Sequence, residues 1–182
     1  MNWKTSETHP LRIAEITLTE SQKLGLSFCP GKTQPNAMSG PWKRDLGIDL
    51  ARIQSEGYDV VVTLIEEHEF RELQVEGMRN NAVKDAEMRW IWTPVRDGGV
   101  PTDTNNDGLN SALEAIFAGD SVFVHCKGGL GRAGTVTAWL LTHLGRSGHD
   151  AIMEVRSVRD KAVENPHQER WVQKNSNRSL GQ

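Results

Sequence analysis

Residues 11–18 alternate apolar and polar side chains, the period-two pattern of a strand with one buried face. Residues 24–29 read as a second short strand, stopped by Pro30 and Gly31. Residues 32–42 are rich in Pro, Gly, Ser and Asn and read as a loop. In 44–56, Leu46, Leu50 and Ile53 recur at helical spacing, and Gly57 is placed to end the helix. Residues 58–65 contain Val60, Val61 and Val62 in succession, as a strand buried on both faces does. Residues 66–75 and 78–86 read as two short helices broken at Gly77. Residues 89–93 read as a strand ended by Pro94, and 95–103 as a Gly/Pro-rich loop. Leu109, Leu113, Ile116 and Phe117 make 104–118 an amphipathic helix with Gly119 as its stop. A strand at 121–124 follows, then helices at 133–144, capped by Gly145, at 151–161 and at 166–174. Strands alternating with helices predict an α/β fold: a central, mostly parallel sheet flanked by helices on both faces, with any reactive loop at a strand's carboxyl end.

Composition narrows the class further. A chain of 182 residues has the length of one domain with a full core. A net charge of −3 gives no electrostatic reason for a nucleic acid partner or an anionic membrane surface. No apolar run approaches spanning length, and the polar first ten residues lack the apolar core of a signal peptide, so a cytoplasmic location is expected. Residues 1–10 and 175–182 are expected to be flexible. The two cysteines, Cys29 and Cys126, lie too far apart for a CxxC redox or zinc pattern. No metal or other cofactor is expected, because no His/Asp group has ligand spacing.

The chemistry gathers in His125-Cys126-Lys127-Gly128-Gly129-Leu130-Gly131-Arg132, between the strand at 121–124 and the helix at 133–144. A glycine-rich loop at a helix N-terminus can turn successive N–H groups inward, where the dipole favours an anion. A cysteine in that field is drawn toward its nucleophilic thiolate form. Arg132 closes the loop with a fork of donors that fits phosphate oxygens. A cation is unfavourable at a helix N-terminus unless an anion joins it there. Nucleophile and oxyanion binder together suggest attack on a phosphate ester.

Other loops compete on local pattern. Gly129, Gly131 and Gly134 also spell G-x-G-x-x-G. A dinucleotide fold then needs a returning strand with an acid about 20 residues on, and 148–160 reads as helix through Ile152, Val155 and Val158. A Walker A loop needs Lys before Ser/Thr, where this chain has Ala133-Gly134-Thr135. A rhodanese-type loop cysteine leaves Arg132 and the upstream Asp loop unexplained.

The chain resembles the cysteine-dependent phosphatases, whose HCxxGxxR signature is matched by His125, Cys126, Gly129 and Arg132. Within the dual-specificity class it is most similar to the kinase-associated phosphatase group. That similarity extends to Cys29-Pro-Gly-Lys32, Asp49-Leu50, Asp97-Gly-Gly-Val-Pro101 and the whole HCKGGLGRAG run. The resemblance implies a cysteine phosphatase II-like fold and hydrolysis of phosphotyrosine or phosphoserine/threonine in proteins, a kinase being one candidate partner. A phosphoinositide or other small phosphoester, or phospho-residue binding without turnover, are the alternatives.

It also implies roles. Cys126 is the nucleophile, Arg132 the oxyanion clamp, and Asp97 the general acid, although Asp-Gly alone is a common turn pair. His125 orders the loop, whose phosphate-binding stretch is Lys127, Gly128, Gly129, Leu130, Gly131 and Arg132. Lys127 either adds positive potential or points to solvent, the second being preferred. Gln168 resembles a glutamine that places the hydrolytic water, a glutamine on the surface of its helix being the preferred alternative. Ala133 departs from the Ser or Thr that relatives carry there, whose hydroxyl supports the departing thiolate, and Thr135 is the nearby candidate substitute. Asp103 and Asp107 read as capping and turn residues. Cys29 reads as buried and structural, with a protective disulfide to Cys126 as the alternative. Trp90 and Trp92 read as either rim or core.

Overall fold

In the computed structural model, which describes residues 2–176, a five-stranded sheet forms the centre of the chain, in the order β1-β2-β7-β5-β6. Its strands are β1 (Ala14–Thr17), β2 (Lys23–Phe28), β5 (Val60–Thr63), β6 (Arg89–Trp92) and β7 (Val122–Cys126). Only β1 runs antiparallel, paired with β2; β2, β7, β5 and β6 are parallel. The helices are α1 (Leu46–Ser55), α2 (Glu67–Glu72), α3 (Ala82–Asp85), α4 (Asn106–Phe117), α5 (Gly131–His143), α6 (Gly148–Val158) and α7 (Pro166–Lys174).

Alternation along the strands divides the core. Leu24, Leu26, Val60, Val62, Val122 and Val124 pack on one face with α4, α5, α6 and α7 through Leu109, Val136, Trp139, Ile152 and Val172. Val61 and Phe123 point the other way, onto Leu50 and Ile53 of α1 and Val83 of α3. A third cluster, Cys29, Ile65, Phe70, Leu73, Val75 and Met78, lies around α2. Helices therefore cover both faces, which is why β5 and β7 are buried at every position.

Several boundaries move. The expected loop at 32–42 contains a short antiparallel ribbon, β3 (Thr33–Gln34) with β4 (Trp42–Lys43). The expected helix at 78–86 shrinks to α3, because Gly77 lies in a single 3-10 turn (Glu76–Met78) and Asn81 takes a left-handed φ of 72°. The first residues, expected to be flexible, are tied down: Lys4 bridges to Trp42, Ser6 bonds Asp45, and Arg44 donates to the His9 carbonyl at 2.7 Å. The cause is Arg44, whose ion pair to Asp49 is almost wholly buried and needs further acceptors. At the other end, residues 177–182 lie outside the described residues. After α5 the chain continues into α6 and α7, and no strand returns among the described residues, unlike a dinucleotide fold. No helix among the described residues is long and apolar enough to cross a membrane.

The helix α5 starts two residues before the expected position, so Arg132 sits inside its first turn. Every residue from Gly131 to Thr142 is buried. The glycines explain how a loop and helix fit so tightly. Gly129 has φ of 71°, and a Cβ there would stand 2.3 Å from the Phe28 nitrogen and the Ser27 carbonyl carbon. At Gly134 a Cβ would meet the Val163 nitrogen at 2.8 Å. The G-x-G-x-x-G spacing thus serves packing of the loop on β2 and of α5 on the 162–163 turn.

Candidate active site

Cys126 ends β7, and the next four residues return the chain to α5. The Gly129 N–H donates to Cys126 Sγ at 3.2 Å. The loop's carbonyls are engaged from outside. Lys127 O accepts from the Cys29 N–H at 3.4 Å and from Lys32 Nζ at 3.2 Å. Arg159 reaches Gly129 O through Nε at 3.1 Å and Gly128 O through Nη2 at 3.2 Å. Leu130 O accepts from Gly134 N and Val163 N. Since C=O and N–H point oppositely in a peptide plane, outward carbonyls turn the N–H groups toward the sulfur side.

Arg132 is 2% exposed. Its Nη1 donates to Glu69 Oε2 at 2.6 Å and to the Val95 carbonyl at 3.1 Å. Its Nη2 donates to Glu69 Oε1 at 2.9 Å and faces Asp97 Oδ1 at 2.9 Å. Its Nε is buried with no partner. Burial disfavours both charges of this pair. For Arg132, the Glu69 hydrogen bonds and the Cys126, Glu69 and Asp97 charges outweigh it and raise its proton affinity. For Glu69, the Arg132 bonds, the Glu66 N–H and the Arg132 and Lys127 charges outweigh it and hold the carboxyl below the usual range. The guanidinium therefore presents one empty donor and one donor resting on an exposed carboxylate.

Asp97 is 67% exposed in its side chain, on a loop fastened at four points. The Asp97 N–H donates to Glu66 Oε2 at 3.2 Å, Asn165 Nδ2 to Gly98 O at 3.0 Å, and Gln168 Nε2 to Gly99 O at 3.0 Å. Arg132 holds the carboxylate itself. Gln168 is fully buried rather than on a helix surface, with Oε1 accepting from the Glu164 N–H. Both ends of its amide are engaged by backbone, so its visible work is to fix the 97–99 loop against α7.

His125 is fully buried, with Nε2 at 2.8 Å from Thr63 Oγ1, which in turn accepts from Trp90 Nε1 at 2.9 Å. Burial pushes its proton affinity down to about 3, so the ring is neutral at working pH. Thr135 donates to Gly131 O at 2.7 Å, four residues back in its own helix. Its hydroxyl proton is therefore committed to backbone and not to the sulfur, which corrects the expected substitution for the missing Ser or Thr. Ala133 is fully buried in the main core. Lys127, expected to point to solvent, lies 2.5 Å from Glu72. Trp90 and Trp92, both half-buried, stack 6.4 Å apart with Phe70 against their edges and pack on the cluster around α2. Asp103 and Asp107 sit in the first turns before and within α4, where Thr102 and Asn105 form the capping box. Cys29 and Cys126 are both free, and burial pushes the Cys29 thiol up.

Sequence reading missed Glu69, Thr63, Lys32, Asn165 and Arg159. Glu69 carried one local signal, the Glu66-x-x-Glu69 capping box at the start of α2. Asn165 carried a cap signal before Pro166, and Lys32 stands in the Cys29–Lys32 run of the resemblance; Thr63 and Arg159 are marked only by their partners in space.

The family described as "Swiss Army Knife protein, DSP-PTPase phosphatase domain" matches residues 34–179. Among solved structures, kinase associated phosphatase (KAP) with its catalytic cysteine replaced by serine superposes with a TM-score of 0.79 at 22% identity, over 93% of this chain and 98% of that one. Tk-PTP in its active form gives 0.64 at 24% identity, over 91% and 97%. PTPMT1 in complex with PI(5)P gives 0.63 at 24% identity, over 84% and 89%.

Proposed function

This chain belongs to the DSP-PTPase phosphatase family, and we propose that it removes phosphate from phosphotyrosine or phosphoserine/threonine in proteins through a phosphocysteine intermediate. The observation that carries the reading is the state of Arg132. Its buried Nε lacks a partner, and the adjacent Nη2 rests on the exposed Asp97 carboxylate. That edge of the guanidinium is the fork a phosphate takes, while Glu69 holds the other edge. No metal is invoked; Arg132 and the loop N–H groups supply the positive field.

In the first step the Cys126 thiolate attacks phosphorus and the S–P bond forms. The P–O ester bond breaks, its electron pair stays on the leaving oxygen, and Asp97 supplies the proton. Phosphate on Arg132 displaces the Asp97 carboxylate from Nη2; once off the guanidinium the exposed carboxylate takes a proton from solvent and faces the leaving group as the carboxylic acid. In the second step water attacks phosphorus, Asp97 takes its proton, and the S–P bond breaks to restore the thiolate. His125 keeps the strand end in place through Thr63 and transfers no proton. Gln168 and Asn165 hold the acid loop over the site. Free, buried thiols at 29 and 126 suit a reducing compartment such as the cytoplasm.

The pairing of Lys127 with Glu72 favours protein phosphoesters over polyanionic headgroups, because the loop's own lysine is neutralised. Phosphate release from a panel of phosphotyrosine, phosphoserine and phosphothreonine peptides and phosphoinositide vesicles tests this. Turnover confined to the vesicles overturns the protein assignment, and phosphopeptide binding with no release overturns the enzyme.

Asp97→Asn is expected to lower kcat by about 10²-fold for alkyl phosphates and much less for para-nitrophenyl phosphate, whose leaving group needs no proton. Equal loss across leaving groups assigns the acid elsewhere. With alanine at 133 and the Thr135 proton spent, breakdown of the phosphoenzyme is the expected slow step. Stopped-flow turnover of an aryl phosphate is expected to show a burst that Ala133→Ser removes. Linear turnover from the first cycle contradicts this.

A further inference from the structure

We propose that Lys32 is a positioning residue of the phosphate loop: its ammonium holds the Lys127 carbonyl outward and supplies a fixed positive charge whose field acts on the Cys126 sulfur. The proposal rests on the phosphatase reading above and names a residue outside the signature loop.

Lys32 is 3% exposed, rare for a lysine. Its turn is built into the fold: Gly31 N donates to the buried Asp49 at 2.8 Å, Arg44 N to Lys32 O at 3.1 Å, and Thr33 N to Leu73 O at 2.8 Å. From there Nζ donates to Gln34 Oε1 at 2.9 Å and to Lys127 O at 3.2 Å, and stands 4.9 Å from the Phe28 ring centre and 5.9 Å from that of Trp42. Rings, an amide and a carbonyl satisfy its hydrogens but not its charge. No carboxylate pairs with it among the described residues, whereas Arg44 has Asp49, Lys127 has Glu72 and Arg132 has Glu69.

A buried cation without a counter-anion costs free energy unless an anion uses it. The charged and titratable groups facing Lys32 are Cys29, Cys126, Lys127 and Arg44. Arg44 and Lys127 are cations already neutralised. Burial pushes the Cys29 thiol up and keeps it protonated, with Sγ against Pro30 O at 3.6 Å. The remaining acceptor of that charge is the Cys126 thiolate. The same carbonyl grip turns the Lys127–Gly128 peptide so that its N–H faces inward, opposite the contacts that Arg159 makes on the next two carbonyls.

Burial lowers the proton affinity of Lys32 to about 8. Below that pH the charge is present; above it the charge is lost and the thiolate loses its partner. The experiment is the pH profile of kcat/KM for para-nitrophenyl phosphate on the full chain, together with the pH profile of Cys126 alkylation by iodoacetamide, read by mass spectrometry. Wild type is expected to lose activity through an alkaline limb near 8. Lys32→Arg, which stays charged, is expected to move that limb upward by more than about one pH unit. Lys32→Met is expected to remove the limb, lower kcat/KM at pH 7 about tenfold, and shift Cys126 alkylation to higher pH. A limb near 8 retained in Lys32→Arg, or alkylation unchanged in a folded Lys32→Met, overturns the proposal. If Lys32→Met does not fold, the Lys32→Arg profile alone decides. Alkylation needs no turnover, so an inactive wild type counts against the phosphatase reading while the shift in alkylation still judges Lys32.

Discussion

Cys126→Ser is expected to abolish phosphate release, lowering kcat on the order of 10⁴-fold or more, with the fold and phosphopeptide binding retained. The size of the effect follows from what surrounds the position. A serine hydroxyl becomes a nucleophile only when a base takes its proton. His125, the adjacent candidate, is buried, neutral and joined through Nε2 to Thr63, with a proton affinity lowered to about 3. Asp97 lies across Arg132 and is assigned to the leaving group. In the phosphocysteine mechanism proposed above the activation resides in the sulfur, so oxygen cannot replace it. Phosphate release and peptide affinity, measured on the same preparation, check this. Residual turnover within tenfold of wild type removes Cys126 from the mechanism.

Arg132→Lys is expected to lower kcat/KM by about 10³-fold, since an ammonium cannot hold Glu69 with one edge and a phosphate with the other. Two losses combine: the bidentate bond to phosphate, and the rigid aim that Glu69 and the Val95 carbonyl give the guanidinium. Arg132→Met adds a stability effect. It leaves the Glu69 carboxylate buried and unpaired, a loss of about 3–5 kcal/mol. Urea unfolding of Arg132→Met and of the double variant with Glu69→Gln separates these effects, because the second change removes the stranded charge and is expected to restore part of the stability but none of the activity. Activity retained in Arg132→Lys contradicts its role as the oxyanion clamp.

The segment from β7 through α5 was legible because its chemistry is local. Cys126 and Arg132 lie six positions apart, on either side of glycines whose need is set by one turn, and the apolar strand and helix that flank them are periodic over their own lengths. The helix α7 was equally legible, with Asn165 capping it and Pro166 at its first position. The ribbon of β3 and β4 was not, since two-residue strands carry no period and form only because Lys4, Trp42 and Arg44 fasten the N-terminal segment there. Gln168 looked like a surface residue because helical periodicity gives a face but not what that face meets. It meets Gly99, which lies 69 positions away.

What the residue order settled by itself was the succession of strands and helices and the placing of Cys126 and Arg132 at the two ends of one glycine-rich loop between a strand and a helix, all consequences of neighbours within about one turn of chain. The tertiary structure decided which acid steadies Arg132, which of its donors is left without a partner, that Thr135 spends its proton on backbone, and that Lys32 reaches the loop from 95 positions away. Those facts depend on strand register and on which buried charges must find partners once water is excluded. Desolvation acts only after the chain has closed, so no local pattern records its outcome.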